Sequence, residues 1–356
     1  MGLIYPADLE AWSRWQTNAH LLRRAKDTLK DVPARVRGGR GTTSEPVPVT
    51  GYLHVAGSSP RILIALDSTS PTSLGSLVKP AYWLEPSSYV VWAPEDVTEH
   101  LPEGNWQVSA LTETELDDVV EGVQQVLALG HYMAWGAAAY RLTRRIGAGF
   151  ITVQHGLHTP YAPPLAPDTH LLAFSQTDAE FWISGRSDVT YDVVGSQLFW
   201  ESAQTPRVDD SEIADLPIFL GQMHGAELSR LSYAQAGYTF CKETGARYRP
   251  HPNEKDKLSV LTHALWDKMG IEIDRGREPL NTLTNPVVSI FSTGVLEAAI
   301  RGIPAWVYHP NPPAWVREFW DRYSLSEWGE APTPAPAVPS MPPAQAIAQY
   351  LEEKLK

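Results

Sequence analysis

The strongest constraint on this chain is a rhythm in its hydrophobicity. Short apolar runs alternate with longer amphipathic stretches, and the alternation occurs twice. In the first series the runs at 61–67 (RILIALD), 89–93 (YVVWA), 124–129, 150–154, 171–175 and 191–194 read as strands, and 113–123 and 133–146 as helices. In the second series, runs at 217–220, 247–249, 287–291 and 305–308 alternate with helices predicted at 227–244, 253–269 and 294–301. Runs that are apolar on both faces suit parallel strands, which need crossover helices, so two series predict two parallel α/β sheets sheathed in helices. A helix is also predicted over 7–31, a loop over 38–48, a polar and acidic linker at about 202–215, a Trp- and Pro-rich tail over 310–343 and a closing helix over 344–356. The expected division is residues 1–205, residues 206–330, and a Pro-rich segment with a C-terminal helix at 331–356.

Composition narrows the function classes. The 356 residues are 43% apolar and 20% charged, enough for two cores and unlike a disordered chain. A net charge of -12 disfavours a nucleic-acid binder, although a nucleotide phosphate needs only local donors and a helix N-terminus. The single cysteine, Cys241, cannot form an internal disulfide or a Cys-based metal cluster and reads as a small packed residue. The first 31 residues mix acids, bases and two tryptophans and do not read as a signal peptide. The longest apolar stretch, 123–140, is broken by Gly130, His131 and Gly136. A cytoplasmic protein is expected, with peripheral work at the inner face of a membrane left open. Phosphate-loop, dinucleotide-fingerprint and H-E-x-x-H motifs are absent from the sequence.

Ligands of parallel sheets sit beyond the carboxyl ends of the strands, so strand-end residues are the candidates. Gln154-His155-Gly156 closes one strand. His155 titrates near neutrality and can take a proton from an acceptor hydroxyl, or simply bond to a loop carbonyl. His158 lies in the following loop and, with Gln154, Ser68, Thr69 and His131, is a candidate contact to the acceptor. Asp67-Ser68-Thr69 ends the first strand of the first series. Asp67 reads as a general base or a turn cap, the hydroxyls as ligand contacts, and His131 is a further candidate. In the second series, Arg249-Pro250-His251-Pro252 fixes an Arg and a His in a stiff turn suited to a phosphate leaving group. Ser292-Thr293-Gly294 opens a helix whose N–H groups suit an anion or an ordinary cap, with Glu297 one turn in. Gly221-Gln222-Met223-His224-Gly225 is a glycine-bounded strand-to-helix loop, placing Gly221 and Gln222 beside the same ligand.

The order QHG, RPHP, then STGVLEA with a downstream GIP resembles GT-B-fold glycosyltransferases of bacterial surface polysaccharides. It is similar to capsule sialyl- and polysialyltransferases, Kdo-type transferases and teichoic-acid glycerophosphotransferases. The resemblance covers about residues 150–310. It implies two Rossmann-like domains facing across a cleft, with the C-terminal helix returning to the first. By resemblance, His251-Pro252 and Ser292-Thr293 hold the nucleotide of a CMP-linked sugar, and His155-Gly156 matches a pair with a catalytic His. The acidic motif of sialyltransferases is replaced here by nothing closer than Asp67.

The resemblance thus implies a metal-independent transferase that needs no cofactor beyond its nucleotide-sugar co-substrate. Residues 1–205 would bind a glycan or lipid-linked glycan acceptor and residues 206–330 the donor. A nucleotide-sugar 2-epimerase of the same architecture and a degenerate, non-catalytic glycan- or partner-binding protein are the alternatives. The sequence carries no Asp-x-Asp metal motif, and Asp209-Asp210 falls in the expected linker. Trp315, Trp320 and Trp328 in the tail read as packing rather than as a sugar platform.

Overall fold

The computed structural model describes residues 2–24, 49–276, 278 and 280–356. These divide into two compact units. The N-terminal unit comprises Gly2–His155, Tyr161–Val194 and Pro343–Lys356, and the C-terminal unit Gly156–Pro160 and Gly195–Pro342.

The N-terminal unit is built on eight strands: β1 (Thr50–Val55), β2 (Ile62–Ala65), β3 (Tyr89–Ala93), β4 (Gln107–Thr112), β5 (Gln125–Ala128), β6 (Gly149–Val153), β7 (His170–Ala173) and β8 (Thr190–Val193). Their order is β4-β1-β3-β2-β5-β6-β7-β8. From β3 to β8 the neighbours are parallel, whereas β1 runs antiparallel to both β3 and β4. Every residue of β2 and β3 is buried, as strands covered on both faces require. The helices are α1 (Leu9–Arg24), the single turns α2 (Pro71–Ser73) and α3 (Leu116–Val119), α4 (Ala134–Ile146) and α5 (Gln176–Ile183). Helix α4 stops at Gly147, whose φ of 73° is the left-handed cap a glycine takes without steric cost.

Three expectations change here. The sequence signalled neither β1 nor β4, and β4 mixes polar and apolar residues and is exposed along most of its length. The helix expected at 113–123 contracts to α3, because Glu113 turns inward to hold Arg141 and Arg145 of α4 in ion pairs. Of the helix expected at 7–31, residues 9–24 are helical; 25–31 and the loop expected at 38–48 lie outside the described residues.

The C-terminal unit has four parallel strands, β9 (Ile218–Leu220), β10 (Arg247–Arg249), β11 (Val287–Ser289) and β12 (Ala305–Val307), in the order β10-β9-β11-β12. Its helices are α6 (Gln197–Gln204), α7 (Arg230–Thr244), α8 (Lys257–Lys268), α9 (Thr293–Ile300) and α10 (Ala314–Arg322). The core gathers Phe219, Phe240, Tyr248, Phe319 and Trp320. Helix α6 packs on α9, so this unit begins at 195 rather than after 205. Helix α10 lies inside the expected tail and makes it part of this core. Trp320 is buried and its indole N–H donates to the Ile290 carbonyl at 2.6 Å, while Trp315 packs on Phe291. Cys241 is also buried, and desolvation pushes its thiol up to about 12, so it is not a nucleophile.

The last helix, α11 (Pro343–Lys354), belongs to the N-terminal unit. Its Ile347, Ala348 and Leu351 are buried in one core cluster with Leu77, Val78 and Ala81. Among the described residues no helix is long and apolar enough to cross a membrane.

Candidate functional site

The chain leaves β9 toward β10 on one side and leaves β11 toward β12 on the other. Beyond the carboxyl ends of β9 and β11 the connections therefore diverge and leave a crevice, the usual ligand position of a doubly wound sheet. Gln222, just past β9, ties the two strands together there. Its Oε1 accepts from the Ser289 hydroxyl at 3.0 Å and from the Phe291 N–H at 3.1 Å.

The loop after β10 is held from beneath by a buried carboxylate. Glu254 accepts from the Met223 N–H at 2.9 Å and the Tyr248 hydroxyl at 3.1 Å, and meets Nε2 of His263 at 3.0 Å. It thereby fastens the loops after β9 and β10 to α8. Gly221 is where these parts close up. A Cβ there would stand 2.3 Å from the Tyr248 hydroxyl and 2.8 Å from Glu254.

On this support the rings of His224 and His251 stack, with centroids 3.8 Å apart and planes 20° from parallel. Nδ1 of His251 accepts the Asn253 N–H at 3.1 Å, which places the ring proton of the neutral imidazole on Nε2, ready to donate. Burial lowers its pKa, partly offset by Glu254. Past β11, Ser292 caps α9 through the Gly294 N–H at 3.2 Å, and Thr293 begins the helix. The helix N-terminus is thus a source of N–H donors on the far side of β9 from His251. Glu297, one turn in and half-buried, is pushed up to about 7 by desolvation against a hydrogen bond with Thr293.

Arg249 is committed elsewhere. Its guanidinium pairs with Asp274 at 3.3 Å and donates to the Glu278 carbonyl, so part of its charge and two of its five N–H donors are already engaged. Pro252 is exposed and serves the turn.

The N-terminal sheet has its own divergence, between β2 and β5. Asp67 stands past β2 and accepts the N–H groups of Trp135 at 2.8 Å and Gly136 at 3.1 Å, binding the N-terminus of α4. Burial outweighs these bonds and raises its pKa to about 6. Gly136 permits the approach: a Cβ would lie 2.0 Å from the Gly130 carbonyl oxygen. Ser68 belongs to a hydroxyl cluster with Ser70 and Ser73, and Thr69 donates to Glu95 at 3.2 Å. His131 is buried against Tyr140, and desolvation drops its pKa to about 4. His155 is likewise lowered to about 4 by burial, and its Nδ1 has no hydrogen-bond partner among the described residues. Both imidazoles are neutral at neutral pH, and the burial that keeps them so makes each a weak base.

Two expected acceptor contacts are structural. Gln154 is fully buried, donating to Asp178 at 3.0 Å and accepting the Phe174 N–H at 2.8 Å, so it pins β6 and β7 to α5 rather than meeting a ligand. His158 lies in the 156–160 segment of the C-terminal unit, where its N–H donates to the Tyr323 hydroxyl and its carbonyl accepts from Arg322.

Three residues were not singled out by the sequence reading: His224, Glu254 and His309. The signal for His309 was available, because His-Pro-Asn occurs twice, at 251–253 and 309–311. Both copies end a strand, and in both the Asn N–H bonds to Nδ1 of the His, here at 3.1 Å, leaving Nε2 of His309 to meet the Ser232 hydroxyl at 2.8 Å. Among the described residues no group of three or more His, Cys, Asp or Glu is placed to hold a metal ion.

No family model and no curated protein matches the chain. Solved structures do. A crystal structure of Methanocaldococcus jannaschii UDP-GlcNAc 2-epimerase in complex with UDP-GlcNAc and UDP is 12% identical, with a TM-score of 0.53 over 82% of this chain and 99% of that one. The fold is GT-B-like. Another structure of UDP-GlcNAc 2-epimerase from the same organism gives 0.49 at 13% identity, over 82% and 99% of the two chains. A glycosyltransferase from Rickettsia africae ESF-5 gives 0.42 at 11% identity, over 83% and 93%.

Proposed function

We propose that this GT-B-like protein is a glycosyltransferase using a nucleotide-activated sugar, with the donor held at the strand ends of the C-terminal unit. The observation that carries the reading is the stacked His224–His251 pair, with the Nε2–H of His251 in no hydrogen bond among the described residues, at the same carboxyl end of the parallel strands as the capped N-terminus of α9. A neutral imidazole N–H and helix N–H groups are the donors a leaving phosphate needs, and they act without reorganisation. Ser292 and Thr293 contribute hydroxyls, Gln222 shapes the floor, and Glu297 suits a ribose hydroxyl. A CMP-linked donor is favoured, on the motif order.

In the reaction the acceptor hydroxyl oxygen attacks the anomeric carbon, the bond from that carbon to the phosphate oxygen breaks, and the nucleotide departs with the electron pair. The hydroxyl proton passes to His155 or Asp67. His155 is the first candidate because its Nδ1 is unbonded among the described residues while both oxygens of Asp67 already bind α4, although burial leaves His155 the weaker base of the two. A glycan or lipid-linked glycan of a bacterial surface polysaccharide is the acceptor proposed, and no metal takes part.

The fold neighbour favours one second reading, nucleotide-sugar 2-epimerisation, which consumes the donor with no acceptor present. Calorimetric titration with CMP, UDP and their sugars, in EDTA, tests the site. His251→Ala should weaken the bound nucleotide by about tenfold or more. Unchanged affinity in that variant removes this site. Acceptor-independent conversion of a UDP-sugar would replace transfer by epimerisation.

A further inference from the structure

Helix α8 is amphipathic in the reverse sense. Its inward row, Ser259, His263 and Trp266, is buried, and two of the three are polar and bonded: His263 to Glu254, and Ser259 to Asp256. Its outward row is apolar. Leu258, Leu261, Leu265 and Met269 recur at three- and four-residue spacing and are 45, 65, 54 and 43% exposed. Val260, 56% exposed, borders them, and Leu231 at the start of α7 is 77% exposed. Arg230 joins those two helices by donating to Ser259. A surface helix ordinarily turns its leucines inward, and a contiguous exposed apolar row marks a surface that meets something.

The charges decide between partners. The two acids of this segment are spent, Asp256 on Arg230 and Asp267 on Arg275, each at 3.1 Å. Lys255, Lys257 and Lys268 are exposed and form no ion pair among the described residues. Lys257 and Lys268 lie in the row of Leu261, at its two ends. A second copy docking about a two-fold axis would lay the helix on its twin either parallel, each lysine against its own copy, or antiparallel. In the antiparallel case the lysine at one end of each row would oppose the lysine at the other end of the next, and in both arrangements like charges across an interface are unfavourable. An anionic bilayer surface satisfies both features together. Leucines enter the boundary of the acyl chains, and lysine stems run beside them with the ammonium groups among the phosphates.

We propose that the outward face of α8 docks the C-terminal unit on a phospholipid surface carrying anionic headgroups. The proposal is independent of the donor site. The test is sedimentation of the full chain with vesicles of phosphatidylcholine alone and of phosphatidylcholine with phosphatidylglycerol. Binding to the anionic vesicles is expected, weakening as salt rises. Leu261→Asp with Leu265→Asp should lower the partition by about tenfold or more, and Lys257→Glu with Lys268→Glu should lower it and flatten its salt dependence. His251→Ala should leave it unchanged. Unaltered melting midpoints would show that these exposed substitutions spare the fold. Absence of binding to either vesicle, or equal binding by the leucine variant, overturns the proposal. So does a wild-type dimer that the leucine variant dissolves, which would assign the row to contact between copies.

Discussion

Glu254 concentrates more consequence than any other side chain of the C-terminal unit, since a strand tyrosine, a loop N–H and a helix histidine all bond to it. Glu254→Ala leaves three buried polar groups without their acceptor and should cost about 3 kcal/mol or more, read as a lower urea midpoint. A midpoint within error of the wild type would deny it that role. The raised carboxyls make a second prediction. The folded pKa of Glu297 is about 7 against an ordinary 4.5, and that of Asp67 about 6 against 3.8. Each therefore holds a proton in the fold that the unfolded chain has already released. Their contribution to stability is present below the ordinary values and is lost as pH rises, for Asp67 between about 3.8 and 6 and for Glu297 between about 4.5 and 7. Glu297→Gln should flatten the higher window in urea titrations taken across it, and an unchanged slope would refute the assignment. Residue-scale legibility followed local geometry. His251 was readable because prolines announce its turn. Glu254 was not, because its partners come from three elements that only the fold brings together.

At the scale of elements, Gly136 fixes how closely α4 packs against the loop after β5. Gly136→Ala drives a methyl into the Gly130 carbonyl, a backbone atom that cannot swing aside, and should destabilise by about 2 kcal/mol with a matching drop in melting midpoint. Tolerance of alanine there would mean α4 can slide on the β5 loop. Buried parallel strands were legible because both their faces are apolar: β3 falls on the predicted residues, and β2, β5 and β6 within two residues of them, while β10, an Arg-Tyr-Arg edge strand, was legible from the turn that ends it. The antiparallel edge was not. β4 is exposed and mixed in character, so its signal lies in pairing with β1, which no local window contains. Helix α10 was hidden by the prolines around it, although Trp320 and Phe319 already carried its buried face.

For the whole molecule, the two parallel series in the sequence corresponded to two units, but the boundaries were misplaced. The determinants of membership are contacts of α6 and of 156–160, not composition. Helix α11 supplies a prediction at this scale. Deleting 343–356 strips Ile347 and Leu351 from the core around Leu77 and Val78. The melting midpoint should fall by about 10 °C or more, and an unmoved transition would show the helix to be a passenger. The same feature orders events at the ribosome. The chain is made in sequence, so all of β9 to α10 has been synthesised before the helix that seals the N-terminal core is begun. The unit containing the earliest-made strands is thus the last that can finish folding, and during synthesis its apolar floor stays open to a chaperone for the whole translation time of its neighbour.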